Sequence, residues 1–340
     1  VYWRSYPCTM CPFSGMTDAE PIDVIMVREN SHELLRSEEK DMQPLNSLPP
    51  PSLGARILFY GLQPAILLGV ISIWLMDPAN ANTYLLVLLM VQVVLGLAEH
   101  FFPARPEWQS SVRIKLRNIV LVTVLVFVSG AVSTFYHLSL AAPLAMLRAE
   151  SNLDIWPHSW PLVVQLLMLF LLSEFFWYWI HRAEHRWNLI WRISGHGAHH
   201  SFKSLGALNF GLNHPLELFF LLLPAILLEL FFGVGAVAAG AAMLLVCQAS
   251  IAHANLALNT RGIGLIFTTN TYHICHHSAD LEQSNSNYGC AAIVWDRLFG
   301  TFSDQGIVET GTGPTEPTMW QKFLMPVREP EDTAVAPGSQ

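Results

Sequence analysis

The chain has 340 residues, 52% of them hydrophobic and only 13% charged, with a formal net charge of −8. Soluble domains carry about 25% charged residues, so half that share around long uncharged runs means that much of the surface faces something other than water. The acidic balance argues against a nucleic-acid partner, which would need a basic face.

Residues 1–52 are polar, rich in Glu, Asp, Ser and Pro, and close on Pro49-Pro50-Pro51. With no apolar period of 2 or 3.6, they read as a disordered lead-in. A basic n-region followed by an apolar h-region is missing, so no signal peptide is expected, and Met10 or Met16 is a candidate start. The five cysteines, Cys8, Cys11, Cys247, Cys275 and Cys290, are odd in number and scattered, unlike a disulfide framework; the lone CxxC of Cys8 and Cys11 reads as incidental.

Four apolar runs follow: Ile57–Met76, Tyr84–Phe102, Ile119–Ala142 and Pro161–Ile180. Each has the roughly 20 residues that a helix needs to cross a bilayer core of about 30 Å. A shorter pair, Pro215–Phe232 and Gly235–Ala252, is joined by little more than Gly233-Val234-Gly235 and reads as a hairpin that enters and leaves on one side. Basic loops stay in the cytoplasm, and the loop after the second run carries Arg105, Arg113, Lys115 and Arg117. The N-terminus and the chain at His181 therefore lie on the cytosolic side, in a bacterial inner membrane or an endoplasmic reticulum. The expected fold is an all-α multi-pass membrane protein: four transmembrane helices plus the hairpin, capped by a cytosolic helical region. Its divisions are 1–52, a transmembrane region 53–160, a histidine-rich catalytic domain 161–303, and a largely disordered tail 304–340.

Eight of the 14 histidines fall in three clusters: His181 and His185; His196, His199 and His200; His273, His276 and His277. Positions i, i+3 and i+4 share a helical face, so each cluster can aim all its imidazoles at one point. His214 and His253 bracket the mouth of the hairpin, and all ten fall at one membrane face. Neutral imidazole suits iron, zinc, copper and nickel, and ten imidazoles exceed one metal's capacity, which points to two. His32, His100, His137 and His158 read as ordinary histidines.

An all-histidine shell brings no negative charge. Glu174, seven residues before His181 on the same helical face, is a candidate to orient a histidine or else to make a helix-packing hydrogen bond. Glu184 and Asp296 rank below it. Trp177, Tyr178, Trp179, Trp187 and Trp191 read mainly as interface anchors, and Asn287, Tyr288 and Trp295 as parts of a cap over the site.

These motifs, HRxxH at His181–His185, HxxHHS at His196–Ser201, NHP at Asn213–Pro215, HAN at His253–Asn255, HxxHHS at His273–Ser278, SNYG at Ser286–Gly289 and WDRLFGTF at Trp295–Phe302, resemble those of the fatty acid hydroxylase/sterol desaturase superfamily. The HxxxH spacing of the first box resembles the sterol-desaturase-like branch. The resemblance implies a di-iron centre of two Fe ions held by these histidines, and O₂-dependent hydroxylation or desaturation of a lipid C–H bond. It also implies electrons from a separate donor such as cytochrome b5, ferredoxin or a reductase. A haem-binding electron-transfer protein and a metal transporter are the alternative readings.

Overall fold

The structure, a computed structural model, describes residues 49–152, 155–307 and 309–328. The expectations for 1–48 and 329–340, with Cys8, Cys11 and His32, lie outside the described residues. What is described is helical, without a strand, and the only β pairing consists of the isolated bridges Pro103–Leu256 and Ser278–Thr310.

The first apolar run becomes α1 (Leu53–Met76), capped by the Ser52 hydroxyl accepting from the Ala55 N–H, and the second α2 (Ala81–Phe101), capped by Asn80. The third is longer than its apolar core. Helix α3 runs from Val112 to Ser151, 40 residues, or about 60 Å at 1.5 Å per residue. Hydropathy marks only the part in lipid; Arg113, Lys115, Arg117 and Arg148 are good helix formers and carry the helix on at both ends. It stops at Asn152, whose φ of 51° takes it out of the helix.

Helix α4 (Leu162–Arg186) delivers the first histidine box at its C-terminal end, and the short α5 (Asn188–Ser194) and α6 (His196–His200) follow directly. The hairpin forms as expected from α7 (Glu217–Phe232) and α8 (Ala236–His253). Among the described residues five helices, α1, α2, α3, α4 and α8, are long and apolar enough to cross a membrane, the second arm of the hairpin joining the four expected, and the protein is a multi-pass membrane protein.

Helix α8 is the hub and packs on α1, α2 and α4. Its small residues permit this: a Cβ on Gly240 would lie 2.5 Å from Trp74 Cε2 and 2.8 Å from Leu166 Cδ1. Close backbone approach through small residues is the usual way helices associate in lipid, where apolar side chains gain nothing by leaving the solvent. Polar pairs add direction, Gln63 Nε2 to Gln248 Oε1 (3.0 Å) and Gln92 Nε2 to Ser250 Oγ (2.9 Å). Helix α3 lies along α7 and is joined to it by Tyr136 Oη donating to the Phe219 carbonyl (2.9 Å) and by His137 with Glu229 (3.2 Å).

The last part of the chain, α9 (Asn270–His276), α10 (Leu281–Ser284), α11 (Val294–Phe299) and α12 (Met319–Leu324), closes over the ends of α4 and α8. Residues 309–328, expected to belong to a disordered tail, instead form an ordered strap. The Gly311 N–H donates to the His277 carbonyl (3.2 Å) and the Ala279 N–H to the Glu309 carbonyl (2.9 Å). Buried Lys322 pairs with Glu316 (3.0 Å) and sits 3.1 Å from the centre of the Phe202 ring. Composition hid this order, because the strap is held by polar and cation–π contacts rather than by a periodic apolar face.

Candidate metal centre

Nine of the ten histidines come together, in two groups. His181, His185, His196, His200 and His276 form the first; His199, His253, His273 and His277 form the second. All nine are buried. Helix geometry explains the division. Members four apart, His181/His185, His196/His200 and His273/His277, stay in one group, whereas the i+3 member, His199 or His276, joins the other. At about 100° per residue the i+3 and i+4 positions diverge by roughly 100°, enough to serve two neighbouring centres. The expectation that each cluster aims at one point is thus corrected. The second and third boxes are each shared, and His200 stacks on His277 (ring centroids 4.3 Å apart) where the groups meet.

The Nε2 atoms face one another. In the first group His181–His196 is 3.0 Å, His185–His196 3.1 Å, His185–His200 3.2 Å and His181–His276 3.0 Å. In the second, His199–His253 is 3.2 Å, His253–His273 3.1 Å and His273–His277 3.1 Å. For metal–nitrogen bonds of about 2.1 Å at right angles, neighbouring donors lie about 3.0 Å apart.

The Nδ1 partners show which form these rings take. His181 Nδ1–H donates to the Tyr288 carbonyl (2.6 Å), His276 to that of Ser286 (2.7 Å) and His253 to that of Ala249 (2.9 Å), while His196 faces Glu217 Oε1 at 2.7 Å. Carbonyl oxygens only accept, so the proton is on Nδ1 and the Nε2 lone pair points inward. Burial, followed by neighbouring imidazoles, holds His196, His199, His200, His273 and His277 well below the ordinary imidazole range, and burial does the same for His276. Neutral rings with converging lone pairs repel unless a cation lies between them. The residues present fit a pair of metal ions.

The carbonyls that orient His181 and His276 belong to one loop. Asn287, at a φ of 54°, donates through Nδ2 to the Tyr272 (3.0 Å) and Ser303 (2.7 Å) carbonyls. Asp296 accepts from the N–H groups of Tyr288 (2.8 Å) and Gly289 (2.7 Å); burial pushes its carboxyl up to about 6 against these hydrogen bonds and that from Thr301. Glu174 accepts from the Ala291 (2.7 Å) and Ala292 (3.0 Å) N–H groups. Glu174 therefore holds the loop and makes no direct contact with a histidine.

His214 joins neither group. Its Nδ1 accepts from the Leu216 N–H (3.1 Å) and its Nε2 donates to the Phe323 carbonyl (3.0 Å), so both nitrogens are committed to backbone. The ring packs on Gly195, where φ is +76° and a Cβ would fall 2.5 Å from His214 Cγ. It fastens the strap to the mouth of the hairpin. Three of the expected interface anchors also turn inward: Trp177 stacks on His181, Tyr178 is fully buried, and Trp191 packs edge-on against His185 and His196. Trp179 and Trp187 are exposed, as anchors would be.

Sequence reasoning missed Glu217. It begins an apolar helix, where an acidic residue ordinarily answers the helix dipole, and nothing in the sequence indicates that it meets His196, 21 residues earlier.

An all-helical membrane bundle that gathers nine buried imidazoles where α4 and α8 end defines a class of multi-pass membrane protein with a candidate metal site. Residues 166–301 match the fatty acid hydroxylase family and form a domain of that type. It is 30% identical over 227 residues to the ornithine lipid hydroxylase OlsE of Rhizobium tropici, covering 64% of this chain and 66% of that one. It is 30% identical over 133 residues to human alkylglycerol monooxygenase, 39% of this chain and 29% of that one. With the zebrafish (Danio rerio) alkylglycerol monooxygenase it shares 29% identity over 141 residues, 41% and 30% of the two chains. The chain thus spans just under two thirds of the first relative's length and under a third of the others'. No solved structure matches it.

Proposed function

We propose that the protein is a membrane-bound di-iron oxygenase that uses O₂ and electrons from a separate donor to oxidise a C–H bond of a lipid, with hydroxylation as the outcome. The observation that carries this reading is the convergence of nine Nε2 lone pairs in two adjoining groups. Oxygen-activating iron accepts imidazole ligands, and a haem would use two axial histidines and leave seven unexplained. A transporter would line a path near mid-membrane, whereas these ligands collect where α4 and α8 end. Named hydroxylases and monooxygenases among the relatives favour hydroxylation over desaturation.

An iron pair bound here supplies O₂ activation and hydrogen abstraction from an unactivated C–H bond. The chain's own residues bind and orient. His181, His185, His196, His200 and His276 would hold one ion, and His199, His253, His273 and His277 the other. The carbonyls of Tyr288, Ser286 and Ala249 keep the proton on Nδ1. Trp177, Trp191 and Tyr288 wall the first group against water. A lipid chain reaching the site laterally from the bilayer, on the cytosolic side, accounts for a centre placed at helix ends.

The test is metal analysis of the purified chain with mass spectrometry of lipids from cells with and without the gene. About two iron atoms per chain, and a lipid heavier by one oxygen, are expected. Stoichiometric haem, or an unchanged lipid profile with a folded and loaded protein, would reject the proposal.

A further inference from the structure

The two histidine groups are provisioned differently. In the first, three of the five imidazoles have an Nδ1 acceptor, and one of these is a carboxylate: Glu217 Oε1 lies 2.7 Å from His196 Nδ1 and Glu184 Oε2 3.6 Å from the same atom. Both acids are fully buried. Neither Glu184 oxygen nor Glu217 Oε2 accepts a hydrogen bond from the protein, and the neighbouring Ser194 hydroxyl donates to the Ile190 carbonyl instead (2.9 Å). Buried carboxylate oxygens without partners are costly unless positive charge lies close by. Among the described residues the second group has one Nδ1 acceptor, the Ala249 carbonyl behind His253, and no carboxylate. Nδ1 of His199, His273 and His277 has no partner.

Resting on the di-metal reading above, we propose that Glu217, with Glu184 beside it, is a positioning residue that makes the five-histidine centre the tight one and leaves the four-histidine centre labile. Three effects act in the same direction. The first centre has one more imidazole donor. Glu217 fixes the His196 tautomer and raises the basicity of Nε2, as carboxylates behind metal-bound histidines do. The two buried acids offset the charge of a divalent ion that neutral imidazoles leave uncompensated. Because Glu217 opens α7 and Glu184 lies on α4, this support forms only once the hairpin has docked against α4, which couples tight metal binding to assembly of the bundle.

The experiment uses the full chain in nanodiscs, loaded anaerobically with Co(II) and exposed to rising chelator, with metal per chain and the cobalt d–d spectrum followed together. The wild type is expected to release one equivalent early and one late. Glu217→Leu should bring the late step forward by about 10–100-fold in chelator, the range seen when such partners are removed, with the early step unmoved. Glu217→Gln retains an acceptor for Nδ1–H and loses the charge, so its shift should be smaller; if the Leu variant does not fold, the Gln variant decides. His273→Ala should remove only the early step. Release of both equivalents together from the wild type, or a late step unmoved in Glu217→Gln and in any folded Glu217→Leu, overturns the inference. A wild type that binds fewer than two Co(II) per chain overturns the di-metal reading itself.

Discussion

Helices α3 and α8 are both apolar enough to span a membrane, yet 6% of the apolar window of α3 is buried inside the protein and 67% of that of α8. Phe127 and Leu138 of α3 look outward. Helix α8, with its run Ala236–Ala242 broken only by Val237 and Gly240, sits among α1, α2 and α4 and ends on His253. In a bilayer, hydropathy shows that a helix crosses but not what it faces, because lipid and protein interior are equally apolar. Small residues and the scattered Gln248 and Ser250 distinguish the buried helix from the lipid-facing one.

Perturbations should follow that division. Largest is loss of a ligand from either centre: His276→Ala and His199→Ala, one from each group, should each abolish lipid oxidation while the protein still inserts and elutes as a single species. Turnover at the wild-type level in either would break the assignment. Next is Gly240→Leu, which drives a side chain into Trp74 and Leu166. Overpacking costs about 1–3 kcal/mol or more and should appear as a clear fall in melting temperature. Its counterpart on α3, Gly130→Leu, meets nothing within 4 Å of the new Cβ and should stay within about 0.5 kcal/mol of wild type. Equal effects at the two glycines would erase the comparison.

Asn287→Ala should fall between them, since it gives up the side-chain hydrogen bonds and places alanine at a φ of 54°, a combination that costs about 1–3 kcal/mol. Metal content should drop with stability, because the carbonyls on His181 and His276 lose their support. The smallest effect concerns the strap. Burial, only partly offset by Glu316, lowers the Lys322 ammonium from 10.5 to about 8. In the docked strap the amine is neutral above about pH 8, whereas the undocked chain keeps its proton up to the ordinary lysine range. Docking therefore gains stability as pH rises between these values. Proteolysis around Trp320 and Phe323 should slow from pH 7.5 to 9.5, and Lys322→Met should show a flat profile.

The centre could be read in the sequence to different depths. Two boxes at i, i+3 and i+4 spacing and one at i and i+4 point to a metal site, because helical geometry constrains short spacings strongly. The same spacing did not reveal the crossing of His199 and His276 between groups, since that depends on where the other helices stand. His214 and Glu217, three residues apart, mark the limit. The histidine sits in a motif beside the site and turns its nitrogens to backbone, while the unremarked glutamate reaches His196. Glu174 behaves similarly: its burial and helical face were legible, but its partners, the amides of Ala291 and Ala292, lie more than a hundred residues away.

By itself the sequence determined the apolar helices, the hairpin and the histidine boxes, because each depends on local periodicity and composition. Only the tertiary structure decided which imidazoles share a centre, which carbonyls and carboxylates stand behind them, and that the strap at 309–328 folds over the result. Those contacts join residues distant in the chain, and their energies come from burial and orientation that no local pattern encodes.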